Sequence, residues 1–370
     1  MSSVEELRRK YDRSDMYSVI VRLPEELGES YERFSEVELP SRLIIAGRER
    51  RLDDINKVAV VGMGGSAIGG GIVYSLLSDR LEVPYYVFRS FMLPAFVDRQ
   101  TLLICISYSG NTDETLAACA EGIGRGAYPV FVTSNGALSS IAQRFGIPTY
   151  RLPPGRPPRT ATAFMVSAIL RALEAADLIP SLEEEVKEAV SFLRNKRDDY
   201  ASLSEDSLPY RLASAINGKV PLIYAYAPYT SAGFRFKTQI NENAKYHAFF
   251  AELPEANHNE IMGWEGGLAA SYHVVIFRGS RESEEMRARV DFWRELLSKL
   301  GVGITEVKAK GPNLLAELFY LILIGDVASY VLALMRGIDP TPVATISSLK
   351  KYVGERVRTR EEVLRMLGIS

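Results

Sequence analysis

Two segments of this 370-residue chain put glycines and hydroxyls where a phosphate could be held. In VAVVGMGGSAIGGG the apolar run 58–61 stops at Gly62, Gly64 and Gly65, and Ser66 follows where a helix should begin. A turn between strand and helix aims unpaired backbone N–H groups and the positive end of the helix dipole at one spot, which favours an anion. The glycines let a ligand approach the backbone closely. In LLICISYSGNTDETL a second apolar run ends in Ser107, Ser109 and Thr112, three hydroxyls around the start of another helix and a cradle sized for one phosphate monoester. Ser109, Asn111 and Thr112 also suit plain turn and N-cap roles. Two such loops on adjacent strand ends of one sheet favour a ligand, because open α/β sheets bind theirs at the carboxyl ends of strands.

A rival reading attaches to the first loop. Gly62-x-Gly64-x-x-Ala67 fits the loose dinucleotide fingerprint, which needs an acidic residue about 20 positions on to bind a ribose diol. The run PYYVF leads instead into Arg89 and Ser90, so an NADP-dependent oxidoreductase remains the alternative from that loop. The chain has only three histidines, none at helical ligand spacing and none accompanied by a CxxC, so no metal site and no cofactor are expected. His258, between Asn257 and Asn259, is the histidine best suited to proton traffic near neutral pH, whereas His247 and His273 sit beside apolar runs and read as structural.

These residues must be positioned by elements. Short β-branched runs (VAVV, PYYVF, LLICI, YPVFV, PTYRL) alternate with helical patterns, the signature of a parallel sheet. The order repeats beyond LPPGRPPRT (152–160), whose four prolines cannot continue a helix. A domain boundary is therefore expected there, giving 1–155 with the phosphate loops and 156–370 with the remaining chemistry. In the second half helices are expected over 162–176, 182–197, 210–216, 232–244, 282–300 and 313–335, with strands at 220–227, 273–277 and 302–307.

With 44 basic against 46 acidic residues and 47% hydrophobic content, the chain shows neither the charge of a nucleic-acid binder nor the composition of a disordered one. No run approaches the ~18 uninterrupted apolar residues of a membrane span, so a soluble, cytoplasmic protein with a small-molecule partner is expected. Cys105 and Cys119 read as buried, reduced thiols.

GMGGSAIGG with SYSGNTDET closely resembles the sugar isomerase (SIS) domain family. NENAKYH, NHNEIMGW and DPTPVATISSLKK resemble its archaeal-type bifunctional phosphoglucose/phosphomannose isomerases. The resemblance implies two open α/β domains of SIS type, each a mainly parallel sheet flanked by helices, and metal-free aldose–ketose isomerisation of hexose 6-phosphates. It implies that Ser107, Ser109 and Thr112 hold the phosphate with Ser66 close by, that Glu242 is the carbon base, and that Arg159 stabilises the enediolate. It further implies that His258 opens the sugar ring from the partner subunit of a homodimer, together with Lys350 or its neighbour Lys351. Thr341 or Thr345 is expected to line the pocket and leave room for the mannose epimer. Other SIS domains only sense sugar phosphates within transcriptional regulators; this chain shows no helix-turn-helix pattern to support that alternative.

Overall fold

The alternation of strand and helix builds two separate parallel sheets. The computed structural model describes residues 3–267 and 269–369. Helices α1 (Val4–Tyr11), α2 (Met16–Val21) and α3 (Leu23–Arg33) open the chain, followed by the hairpin β1 (Arg42–Ile45) and β2 (Arg48–Arg51). Next come β3 (Lys57–Val61), α4 (Gly65–Leu77), β4 (Tyr85–Phe88), β5 (Thr101–Ile106), α5 (Asp113–Arg125), β6 (Tyr128–Thr133), α6 (Gly136–Phe145) and β7 (Thr149–Arg151). Four helices follow: α7 (Thr162–Ala175), α8 (Glu183–Asn195), α9 (Arg197–Ala201) and α10 (Leu208–Ile216). The second series is β8 (Val220–Tyr226), α11 (Thr230–Ala244), β9 (Phe249–Leu253), β10 (Tyr272–Arg278), α12 (Glu284–Lys299), β11 (Gly303–Lys308) and α13 (Leu314–Met335). The last helices are α14 (Ala344–Gly354) and α15 (Thr359–Met366).

The five-stranded sheet has the order β4-β3-β5-β6-β7 and the four-stranded sheet β11-β10-β8-β9, parallel throughout. Read from its first strand, each sheet places its second strand on one side and its third and fourth on the other. The crevice between first and third strands, β3/β5 and β8/β10, is therefore the topological switch point of each. Strands β5 and β6 are buried at every position, which is why they read as unbroken apolar runs rather than alternating ones.

The chain divides into two units, and this corrects the expected boundary at 155/156. Residues 26–184 and the segment from 343 onward form the five-stranded unit; the opening 25 residues and 185–342 form the four-stranded one. The proline-rich stretch is not a linker, because small residues on α4 draw its continuation into the five-stranded unit. A Cβ on Gly65 would lie 3.1 Å from Arg159 Cα, and one on Gly69 would lie 2.9 Å from Met165 Cβ on α7. Helix α15 packs on α5, returning the C-terminal segment to the same unit.

In the four-stranded unit α13 is buried at every residue from Leu314 to Leu334. It is long and apolar enough by length and composition to cross a bilayer, although Glu317 and Asp326 interrupt its apolar run. Its burial among α1, α2, α10 and α11 makes it a core helix.

Candidate active site

The loop after β5 is built from reciprocal hydrogen bonds. Ser107 Oγ lies 2.8 Å from Thr112 Oγ1 and accepts from the Thr112 backbone N–H at 3.4 Å, and the Gly110 N–H donates to Ser107 O. Ser109 accepts from the Asn111 N–H at 3.3 Å and is exposed, whereas Ser107 is fully buried. Asn111 fastens the turn sideways, its Oδ1 accepting from the Ala137 N–H at 2.9 Å. Gly110 (φ +68°) and Gly136 (φ +79°) make this clasp possible: a Cβ on Gly110 would fall 1.7 Å from Asn135 O, and one on Gly136 would fall 2.3 Å from Ser109 O. The three expected hydroxyls are thus held on one turn before α5, with the helix's first N–H groups behind them.

The loop after β3 stands beside it, since β3 and β5 pair directly. Gly64 takes φ +53° ahead of α4, and Ser66, 5% exposed, lies in the first turn of that helix. The missing side chain of Gly65 lets the backbone at Pro158 and Arg159 pass against this helix start, and Arg159 itself is buried at 2% exposure. Gly65, Ser66, Ser107, Ser109, Thr112 and the Arg159 backbone therefore belong to one unit, around its switch point.

Lys350 lies on α14, whose residues are all at least partly exposed. Its charge reaches Asp113, the first residue of α5, whose carboxyl is pushed up by burial and by Glu114 and Glu361 while Lys350 pulls it down. Thr345 is exposed in the first turn of the same helix.

Glu242 belongs to the four-stranded unit, half-buried in the last turn of α11. Because α11 runs back from the carboxyl end of β8, this turn sits at the amino-terminal edge of the sheet. Lys245 ends the helix with φ +50° and donates to Asp339 O at 2.9 Å and Pro340 O at 3.0 Å. The Thr341 N–H donates to Asp339 Oδ1 at 3.0 Å, so Thr341 follows directly on the segment that Lys245 holds. Lys245 was not singled out in the sequence; NENAK carried the signal, but a lysine at a helix end reads as an ordinary dipole complement.

His258 lies beyond β9, at the opposite edge of this sheet from Glu242. The five residues of β9 alone span roughly 15 Å, so one copy of the unit does not bring the two together. His258 borders a groove of about 530 Å³ with Ile261, Phe292 and Trp293, and Trp293 Nε1 donates to Asn257 Oδ1 beside it. His273 is structural as expected: Nε2 meets Thr305 Oγ1 at 2.8 Å across neighbouring strands, and burial, then Lys219, lowers its pKa.

At the corresponding switch point of the four-stranded unit the strand ends carry side chains that bond to one another, beside a cavity of about 470 Å³ lined by Arg278, Glu282 and Glu306. Tyr229 OH donates to Glu317 at 2.5 Å and lies so close to Gly279 that a Cβ there would come within 2.0 Å of Tyr229 Cζ. Beside it Arg278 is gripped by Glu282 at 2.6 Å and Glu306 at 2.5 Å. Carboxylates of the same unit thus partner the hydroxyl and guanidinium groups there.

The family model of the bacterial phospho-glucose isomerase C-terminal SIS domain matches residues 205–353. A bifunctional phosphoglucose/phosphomannose isomerase of Caldicellulosiruptor bescii is 32% identical over 92% of this chain and 99% of its own length. The Aquifex aeolicus protein of that name is 36% identical over 80% of this chain and 89% of its own. In fold, the crystal structure of a hypothetical protein from Thermus thermophilus superposes with a TM-score of 0.72 at 17% identity, covering 95% of this chain and 94% of that one. The dinucleotide alternative gives way to this agreement between sequence relatives and two hydroxyl-lined loops at one switch point: the chain belongs to the bifunctional phosphoglucose/phosphomannose isomerases and is an isomerase of the SIS fold.

Proposed function

We propose that this isomerase interconverts fructose 6-phosphate with glucose 6-phosphate and mannose 6-phosphate through a cis-enediol(ate). The single observation that carries the reading is the hydroxyl-lined turn Ser107–Ser109–Thr112 at the β3/β5 switch point, clasped by Gly110 and Gly136. It offers neutral donors and helix N–H groups to a phosphate dianion, with Ser66 and the Gly65 backbone at its side.

The reaction moves one proton between C1 and C2 and, on oxygen, one between O1 and O2, so no electron acceptor is consumed. Glu242 takes the carbon-bound proton and returns it to the neighbouring carbon. Arg159, always charged, stabilises the oxyanion without competing for that proton. His258 of a second copy and Lys350 exchange protons with the ring oxygen and O1 to open the substrate, and Thr341 leaves room for the C2 epimer. The separation of His258 from Glu242 within one four-stranded unit supports a homodimer in which histidines are exchanged. The reading places the enzyme in the cytoplasm, in keeping with its two buried free cysteines.

The test is direct. Protein treated with chelator is given fructose 6-phosphate, and glucose 6-phosphate and mannose 6-phosphate are both expected to form; absence of both products ends the proposal. Glu242→Gln should bind a sugar phosphate as the parent does and lose turnover by roughly 10²–10⁴-fold. Near-parental turnover would remove Glu242 as the base.

A further inference from the structure

Glu242 is presented by a helix whose neighbour gives little guidance about how it should sit. Helix α13 is buried along its length and predominantly apolar, so hydrophobic burial alone would accept α11 in several registers. A slip of one residue would turn α11 by ~100° and carry the carboxylate away from its direction. Polar groups inside this interface remove the ambiguity. On α11, Arg235 and Asn243 lie two turns apart, at most 1% exposed; paired with them on α13 are Asp326 and Ser329, 2% and 0% exposed.

Arg235 donates to both oxygens of Asp326, from Nε at 3.0 Å and Nη2 at 2.6 Å. Two turns on, Asn243 Nδ2 donates to Ser329 Oγ at 2.9 Å, and the Ser329 hydroxyl donates to Asp326 O at 2.7 Å. With its proton committed to that carbonyl, Ser329 offers Asn243 only lone pairs, which fixes the direction of the amide. Beside the Arg235–Asp326 rung Gly325 admits Phe236, where a Cβ would come within 3.0 Å, and so sets how closely the helices cross. Misplaced buried donors and acceptors are expensive, so the ladder selects one register among apolar alternatives.

We infer that Asn243, through Ser329, is a positioning residue that aims the adjacent Glu242. The inference rests on Glu242 being the base, as proposed above. Asn243 touches no reacting atom in this role; it locks the last turn of α11, which Lys245 then closes.

The experiment uses the full chain and fructose 6-phosphate. Asn243→Ala and, as the smaller change, Ser329→Ala are measured for kcat, KM and thermal unfolding, and Asn243→Ala is repeated in the Glu242→Gln background. Each single variant that retains the parental circular dichroism should lose ~10–100-fold in kcat with KM within ~3-fold, as expected of a misaimed group. In the Glu242→Gln background Asn243→Ala should lower the residual turnover by less than ~2-fold, because the base it aims is already gone. Should Asn243→Ala fail to fold, Ser329→Ala carries the test. Parental kcat in the folded variants overturns the inference, as does an equal loss from Asn243→Ala in both backgrounds. If Glu242→Gln is inactive while Asn243→Ala and Ser329→Ala are normal, only the positioning role fails; if Glu242→Gln is itself active, both readings fall.

Discussion

Replacing Gly110 with alanine tests the phosphate loop at the point where its geometry is least forgiving. The residue sits at φ +68°, where an L side chain costs about 1–2 kcal/mol by itself. The larger effect is steric. Its Cβ would lie 1.7 Å from Asn135 O and 2.9 Å from Thr133 Oγ1, so the turn and the β6–α6 loop must separate by roughly 2 Å to regain ordinary contact. That movement carries Ser109 and Thr112 with it and breaks the clasp between Asn111 and Ala137. Loss of even one hydrogen bond to a charged phosphate is worth about 1.5–3 kcal/mol, so KM for fructose 6-phosphate should rise by ~10–100-fold. Inhibition by inorganic phosphate should weaken in parallel. Gly47→Ala is the control: Gly47 also has a positive φ, +75°, but its Cβ would meet nothing within 4 Å, and it lies in the β1–β2 hairpin. It should lower the unfolding temperature slightly and leave KM unchanged. If Gly110→Ala matches that control in both KM and stability, the loop does not hold the phosphate as described.

Two further outcomes follow from other sites. His273, with its pKa lowered by burial, takes up its proton less readily folded than unfolded, so its neutral form stabilises the native state above pH ~6.5 and that contribution is lost as the pH falls through the lower folded value. Melting temperatures measured from pH 7.5 downward should decline, and His273→Gln should flatten that decline; an unchanged slope refutes the assignment. Gly279→Ala drives a Cβ to within 2.0 Å of Tyr229 and should lower the unfolding temperature by roughly 5–10 °C, as overpacking does, while surviving enzyme binds fructose 6-phosphate with parental KM. A large rise in KM would show that this crevice takes part in substrate binding.

The sheets were legible because their central strands are buried on both faces and so appear as apolar runs bounded by glycine, serine or proline. What escaped was exposed or short. Strand β9 lies at a sheet edge and is only partly buried, so FFAEL lacked an unbroken apolar signal, and the β1–β2 hairpin is mostly arginine and glutamate. Helices α14 and α15 bury a single residue between them, Val363; the apolar Ile346, Leu349 and Tyr352 of α14 are exposed. The unit boundary was misjudged because prolines signal a break in helix, while the decisive contacts of Gly65 and Gly69 with 158–165 are long-range. The hydroxyls of the phosphate loop could be found from local chemistry. The ladder beneath Glu242 could not, because nothing local in QINENAK says that Asn243 faces Ser329 some 86 positions later.

Two sheets with one strand order give each chain two switch points, and at one of them the side chains around β10 bond to their own neighbours. Tyr229 with Glu317, and Arg278 with Glu282 and Glu306, are partnered within the chain there. That half of the fold satisfies its polar side chains internally, through Tyr229 and Glu317 and through the ion pairs of Arg278.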